Sequence, residues 1–196
     1  MKKKNGFTLI ELLAVVVILG VLMTVAIPNV VATLEKNKRD SFIKDAKLAI
    51  SAAEYTMRAN TKYEYPSDNQ VVVLPLDKLK NLSITTSPYD TVYSYSHSFV
   101  AIVKQPINGS LEDSDYVYYV HLVSCTDDEC SSMDDDEISS YRSINLRSSE
   151  ELDSMDRNYL ISKGKDVRVT LLTDTSNNYQ ELRKLGFWQS YSVIVY

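Results

Sequence analysis

The feature that most constrains this chain is an apolar run close to its amino terminus. Between residues 7 and 27 the polar side chains are Thr8, Glu11 and Thr24. A helix of about 21 residues, rising about 1.5 Å per residue, matches a hydrocarbon core about 30 Å thick. The run is therefore predicted to form a helix that spans a membrane.

Three lysines indicate how this helix is oriented. Lys2, Lys3 and Lys4 stand directly before the apolar run, and clustered basic residues beside a membrane helix favour the cytoplasmic side. The run passes through Pro28 and Asn29 without the small-residue cleavage site of a secretory signal. We expect a cytoplasmic amino terminus and an exported carboxyl-terminal part.

Glu11 is the unusual residue of the run. A carboxylate near the start of a membrane helix is unfavourable, and acids in such positions are rare and usually functional. Glu11 therefore predicts a positively charged partner. The alternative is a plain membrane anchor that carries a chance glutamate.

The residues around Glu11 form a recognisable motif. The segment Gly6-Phe7-Thr8-Leu9-Ile10-Glu11 resembles the signature of type IV prepilins: a short basic leader, a glycine, a phenylalanine, and a glutamate as the fifth residue after the cut. The resemblance implies that a prepilin peptidase cleaves between Gly6 and Phe7 and methylates the new amine of Phe7. It also implies that Glu11 pairs with the Phe7 amine of a neighbouring subunit during assembly.

Gly20 and Pro28 predict an irregularity in the same helix. Glycine weakens a helix interior, and proline removes an amide donor and clashes with the preceding turn. Pilins resembling this chain carry a glycine and a proline at matching places, which implies a bend or a melted turn between them. The alternative is that both residues are simply common in membrane helices.

Beyond Pro28 the helix is expected to change character. Apolar residues recur at spacings of three and four, which predicts one buried helical face formed by Ile43, Ala46, Ile50, Ala53 and Met57. The helix is predicted to end near Asn60, ahead of Pro66. The predicted division is a leader peptide (1–6), a transmembrane and assembly half (7–28), an amphipathic half (29–60) and a pilin-like head (61–196).

The rest of the chain carries strand patterns. Residues 93–103 alternate in polarity, which predicts a strand with one buried and one wet face, paired antiparallel with residues 116–123 across Asn108-Gly109. Residues 167–172 and 191–196 predict two more strands around a helix at 178–185, and residues 71–74 and a short helix at 76–82 form a connection. The expected fold class is α+β: a long membrane-spanning helix whose carboxyl-terminal half packs on an antiparallel sheet.

The head contains few residues suited to chemistry. Cys125 and Cys130 can form one small disulfide loop, which an exported protein favours. Many pilins resembling this chain have a larger disulfide loop near the carboxyl end, and this chain has none there, so the subclass stays open. A zinc site that adds His97 or His121 to the cysteines has unsuitable spacing, and no nucleophile stands beside a base, so we expect no enzyme.

An acidic segment follows the first cysteine. Its carboxylates offer weak calcium ligands, but the spacing lacks the Asp-x-Asp-x-Asp-Gly pattern, so a solvated loop is favoured and no cofactor is expected. The weak candidates are Asp127, Asp128, Asp134, Asp135 and Asp136.

The charge balance bears on partners. The formal charge is -5, and removal of the three leader lysines lowers Lys plus Arg from 21 to 18 against 26 acids, which gives -8. An acidic exported part disfavours phosphate-backbone contacts, so direct binding of nucleic acid is not expected.

Three functions remain open from the sequence. The favoured one is a structural subunit of a type IV pilus, assembled through its first helix after leader cleavage, for adhesion, motility or surface attachment. A pseudopilin of a type II secretion or competence DNA-uptake system is the second, and a membrane-anchored binding domain that never polymerises is the third. Expected partners are prepilin peptidase, other pilin subunits, the plasma (inner) membrane and the assembly machinery, with an extracellular filament as the destination.

Overall fold

The structure is a computed structural model that describes residues 8–107, 110–127, 129–131, 135–154, 161–167 and 190–196. The chain forms two units, Met1–Lys38 and Arg39–Tyr196. From Leu9 onward, the first unit is the amino-terminal part of one long helix. The second unit contains the rest of that helix and a β-sheet.

Helix α1 runs from Leu9 to Ala59, which confirms the predicted end near Asn60. Its large apolar side chains from Leu9 to Leu34 are exposed, at values from 48% to 84%. The helix is long and apolar enough to cross a membrane. An apolar surface on all sides is the pattern of a helix that is covered by lipid or by other helices.

Helix α1 is continuous through Gly20 and Pro28, so the described helix of the single chain has no melted turn at either residue. Side chains near Pro28 bind carbonyl groups of the preceding turns: Thr24 Oγ1 donates to Val21 O at 2.6 Å, and Asn29 Nδ2 donates to Val25 O at 3.2 Å. A loss of helical form at these positions stays a prediction for an assembled filament.

The described residues of the second unit form a seven-stranded sheet. The path of the sheet is β6-β5-β4-β3-β1-β7, with β2 paired to β4. The strands are β1 (Gln70–Pro75), β2 (Val92–Tyr93), β3 (Phe99–Ile107), β4 (Ser110–Cys125), β5 (Arg142–Ser148), β6 (Ser162–Lys163) and β7 (Ser192–Val195). All these pairs are antiparallel except β1 with β7, so the predicted α+β class with a mostly antiparallel sheet is confirmed.

The short helical elements lie between strands. Two 3-10 helices, Leu76–Lys78 and Gly164–Asp166, and two α-helices, α2 (Asp135–Ile138) and α3 (Ser149–Ser154), are described. The predicted helix at 76–82 is therefore wrong beyond Lys78. Asn81 has a φ of 61°, a left-handed conformation that ends any helix there.

Strand β1 corrects the prediction that residues 71–74 form a connection. Each residue from Val71 to Leu74 is fully buried, and β1 pairs with β3 on one side and β7 on the other. A continuous apolar run is what a strand buried on both faces requires. The sequence interpretation gave too much weight to Pro75, which stands at the end of the strand, where proline is tolerated.

The predicted strand at 93–103 is also wrong as a single element. It divides into β2 and β3, and the serines between them bind locally: Ser94 Oγ and Ser96 Oγ lie 2.7 Å and 3.0 Å from His97 Nδ1. Such local hydrogen bonds compete with strand pairing. Residues 99–103 are buried on both faces of β3, and Ser94 and Ser98 of the predicted wet face are buried as well, so that prediction is wrong.

The predicted partner strand is confirmed within β4, which pairs antiparallel with β3. Residues 191–196 are confirmed as a strand by β7, although it pairs parallel with β1. Asn108 and Gly109 lie outside the described residues. The same holds for residues 168–172 of the predicted strand and for the predicted helix at 178–185.

The main core lies between the later part of α1 and one face of the sheet. The helix contributes the predicted stripe together with Phe42, Ala49 and Ala52, and the sheet contributes Val72, Leu74, Val100, Ile102, Val120, Leu122 and Ile144. Polar contacts add to this packing: Tyr93 Oη donates to Asp45 Oδ2 at 2.7 Å, and Lys47 pairs with Asp153 of α3. The opposite face of the sheet has a second buried cluster that includes Val71, Val73, Phe99 and Ala101.

Candidate functional site

The candidate assembly site begins at the first turn of α1. Thr8 precedes the helix and donates two hydrogen bonds to Glu11 Oε2, from its backbone N and from Oγ1, each 2.8 Å long. In return, the Glu11 backbone N donates to Thr8 Oγ1 at 3.4 Å. This reciprocal arrangement is a capping box, in which two residues satisfy backbone donors that a helix start leaves unpaired.

The capping box determines where the Glu11 carboxylate lies. It is held beside the amino terminus of α1, where the helix dipole favours a negative charge. The side chain is exposed within the single chain. Its neighbours Leu9 and Ile10 are 84% and 72% exposed, so the acid sits in a surface that is otherwise apolar.

Gly6 and Phe7, the expected cleavage pair, lie outside the described residues. Cleavage there would leave an amine one residue before Thr8. Within the chain, the donors to the Glu11 carboxylate include the neutral groups of Thr8. Ion pairs that are also hydrogen-bonded are stronger than bonds between neutral groups, particularly where water is excluded.

The sequence interpretation missed Thr8. The signal was present, because a threonine three residues before a glutamate at the start of an apolar run is the pattern of a capping box. The prepilin resemblance drew attention to Glu11 as a charge and not to the residue that positions it.

The two cysteines of the head are joined by a disulfide, with their Cα atoms 5.2 Å apart. Asp127 lies inside this loop and accepts hydrogen bonds from Ser131, from N at 3.1 Å and from Oγ at 2.8 Å. The bond from the Ser131 hydroxyl, followed by the backbone bond, lowers the pKa of Asp127 below its usual value. Asp127 thus has a structural role in closing the loop.

The weak calcium candidates of the acidic segment are described only in part, and the favoured solvated loop stays a prediction. Asp136 belongs to the short helix α2. Asp128 and Asp134 lie outside the described residues, as does the side chain of Asp135. Within the described parts of the head, no group of three carboxylate, histidine or cysteine side chains is placed to hold a metal ion.

The two histidines lie inside the sheet region. His97 is 2% exposed and contacts Ser94 and Ser96, and His121 is fully buried with its ring 5.0 Å from that of Phe99. Both cysteine sulfurs are in the disulfide, so neither can act as a thiolate ligand. The arrangement does not bring together the residues of the zinc alternative.

Comparison with known proteins supports the motif. The model of the prokaryotic N-terminal methylation motif matches residues 1–27. The chain is 35% identical over 63 residues to a type II secretion system core protein G of Klebsiella pneumoniae, covering 32% of this chain and 45% of that protein. It is 37% identical over 68 residues to core protein G of Pectobacterium carotovorum, covering 35% and 42%, and 34% identical over 68 residues to that of Escherichia coli, covering 35% and 46%.

A long apolar helix that carries this motif at its start, with its later part packed on a mostly antiparallel sheet, is a pilin-like α+β layout. The chain therefore resembles these proteins over about a third of its length and carries the methylation motif at its amino terminus. The chain spans less than half the length of each of these relatives. No solved structure matches it.

Proposed function

We propose that this chain is a subunit of a pilin-type filament, cut after Gly6 and polymerised through α1. The observation that carries the proposal is Glu11, a carboxylate on an apolar helix that is long enough to cross a membrane. The leader (1–6), the assembly half (7–28), the amphipathic half (29–60) and the head (61–196) are its working parts. In this proposal, subunits join the filament at the membrane.

The chemistry of assembly follows from the capping box. In the single chain, the two bonds from Thr8 satisfy Glu11 Oε2 with neutral donors. When Phe7 of a neighbouring copy supplies a positive amine, the carboxylate gains an ion pair in a surrounding of low dielectric constant. Each copy carries both the amine and the acid, so the same pairing repeats along a filament.

Processing requires partners that the motif implies. Prepilin peptidase would cleave between Gly6 and Phe7 and methylate Phe7. Before assembly the chain would span the plasma (inner) membrane with its amino terminus in the cytoplasm, and the assembly machinery and other subunits would then extract it into a filament.

The comparisons bear on whether the filament belongs to a secretion system or to a surface pilus. The relatives are named as core protein G of type II secretion systems, which supports a secretion pseudopilin over the surface pilus that the sequence interpretation placed first. A competence pseudopilin shares the same amino-terminal motif. The proposal of an assembling subunit does not depend on this choice.

The test uses cells that express the full chain. Filaments are sheared or extracted and analysed by mass spectrometry for a peptide that begins at methylated Phe7. Glu11→Ala should abolish filaments while the protein remains in the membrane. Glu35→Ala serves as a matched control, because Glu35 is an exposed acid on the same helix. Normal assembly of Glu11→Ala, or a mature protein that keeps Lys2, Lys3 and Lys4, would contradict the proposal.

A further inference from the structure

An apolar groove lies on the second unit, between α1 and the loop that follows the first 3-10 helix. The helix contributes Leu48, Ser51, Ala52 and Tyr55, and the loop contributes residues 80–84. The volume of the groove is about 410 Å³. We call it the α1–loop groove.

Hydrogen bonds hold the loop in place against the helix. The backbone N of Lys80 donates to Oγ1 of the fully buried Thr56 at 2.8 Å, and this hydroxyl donates to Ala52 O at 2.6 Å. At the far end of the loop, Tyr95 Oη donates to Ile84 O at 2.7 Å. Ala52 and Ile84 are 8% and 7% exposed, so the α1–loop groove has a packed floor and is already formed in the single chain.

The rim of the groove exposes apolar side chains. Among the described residues of Arg39–Tyr196, the large apolar side chains that stand exposed are Leu48 and Tyr55, at 54% and 51%. They are seven residues apart on α1 and therefore lie on one helical face. Both line the α1–loop groove. Exposed apolar residues gathered in a concave site mark a binding surface.

The chemistry of the groove indicates what it binds. Among the described residues that line it, Lys80 is the one that is charged, and none is an acid. A surface without acids suits an uncharged, apolar segment. The chain itself supplies such a segment, since residues 9–34 of α1 expose apolar side chains along their whole length.

The separate positions of the α1–loop groove and the apolar segment 9–34 also fit polymerisation. The groove and the apolar segment are different parts of the chain. A contact that pairs them between two copies is therefore heterologous, and heterologous contacts that do not close into a ring produce an open helical filament.

We propose that the α1–loop groove receives a part of the apolar segment 9–34 of α1 from a second copy of this chain. The inference rests on the proposed function and adds a contact on the head to the pairing of Glu11. Leu48 and Tyr55 then form the exposed edge of that contact and are covered only in the filament.

The first experiment places a photo-crosslinking benzoylphenylalanine at position 55 of the full chain in cells that build the filament, with position 58 as control. Arg58 is exposed on the same helix but does not line the groove. Irradiation should give a product of twice the chain mass from position 55 and much less from position 58, with the crosslinked peptide mapping to residues 9–34. Crosslinks from position 55 to lipid or to another protein would overturn the proposal, as would equal yields at both positions.

The second experiment compares Leu48→Gln and Tyr55→Gln with Arg58→Gln in the same cells. Each groove variant should reduce sheared filament by about tenfold, since the lost burial of one large apolar side chain corresponds to about that factor, while Arg58→Gln should not. Membrane levels should stay equal, because all three side chains are exposed. Normal filaments from both groove variants, with none from Glu11→Ala, would refute the groove contact. The proposal that the chain assembles through Glu11 would stand. Absence of filaments from the wild type would refute both.

Discussion

Thr8 and Glu11 form the best-defined polar contact in the first turn of α1, and their chemistry can be tested at this scale. Thr8→Ala removes the hydroxyl that donates to Glu11 Oε2 and accepts from the Glu11 backbone N. Loss of this cap should make the first-turn amides of Glu11 and Leu12 exchange about fivefold faster with solvent deuterium. The measurement is hydrogen exchange of the full chain in detergent micelles. Thr8→Ser retains the hydroxyl and should behave as wild type, and equal exchange in both variants would argue against the capping box.

Asp45 provides a prediction of pH dependence in the head. Burial raises its pKa above the ordinary value of 3.8, and the hydrogen bond from Tyr93 partly opposes this. Because the folded pKa is the higher one, the stabilising contribution of protonated Asp45 is present below pH 3.8 and is lost as pH rises through the folded pKa.

Asp45→Asn should therefore remove the loss of stability at higher pH. An asparagine oxygen still accepts from Tyr93 Oη but carries no charge. The measurement is denaturant unfolding of wild type and variant from below pH 3.8 to above the folded pKa of Asp45, which gives the free energy of unfolding at each pH. The difference in unfolding free energy between them should shift in favour of the variant as pH rises. A difference that does not vary with pH would show that Asp45 does not titrate as described.

Helix α1 packs on the sheet through small residues, and this packing can be tested at the scale of the element. Ala46, Ala49 and Ala53 are fully buried where α1 contacts the sheet. Ala46→Leu overfills this contact and should lower the unfolding free energy by about 1 to 3 kcal/mol. Ala59→Leu, at the exposed end of the same helix, should change it by less than about 0.5 kcal/mol. Equal effects in thermal or denaturant unfolding would contradict the described packing.

The elements that could be predicted are those that local patterns encode. The end of α1 at Ala59 follows from its stripe and the proline beyond, and β4 and β7 follow from aromatic and β-branched runs. Strand β1 has an equally apolar sequence, but its central place depends on β3 and β7, which are distant in the chain. The division of β2 from β3 depends on contacts among Ser94, Ser96 and His97 that polarity alternation does not reveal.

The candidate binding residues also divide into those that local sequence predicts and those that only the fold reveals. Gly6, Phe7 and Glu11 lie within one six-residue segment and form a motif, so they could be proposed directly. The α1–loop groove could not, because Leu48 and Tyr55 resemble ordinary helix positions until the loop at 80–84 is seen against them. A surface formed by distant segments requires the fold.

The charge of the whole molecule leads to the last prediction. After leader removal the charge of the chain would be -8, so neighbouring copies repel one another at long range. The proposed contacts, an enclosed ion pair and an acid-free groove, are by contrast little affected by salt. Raising the salt concentration from about 0.05 M to about 1 M shortens the screening length from about 13 Å to about 3 Å and weakens mainly the repulsion. The yield of sedimentable filament should therefore hold or rise with salt, whereas mild detergent, which competes for apolar surfaces, should disperse it. Dissociation by salt alone would instead indicate filaments held by exposed ion pairs between heads.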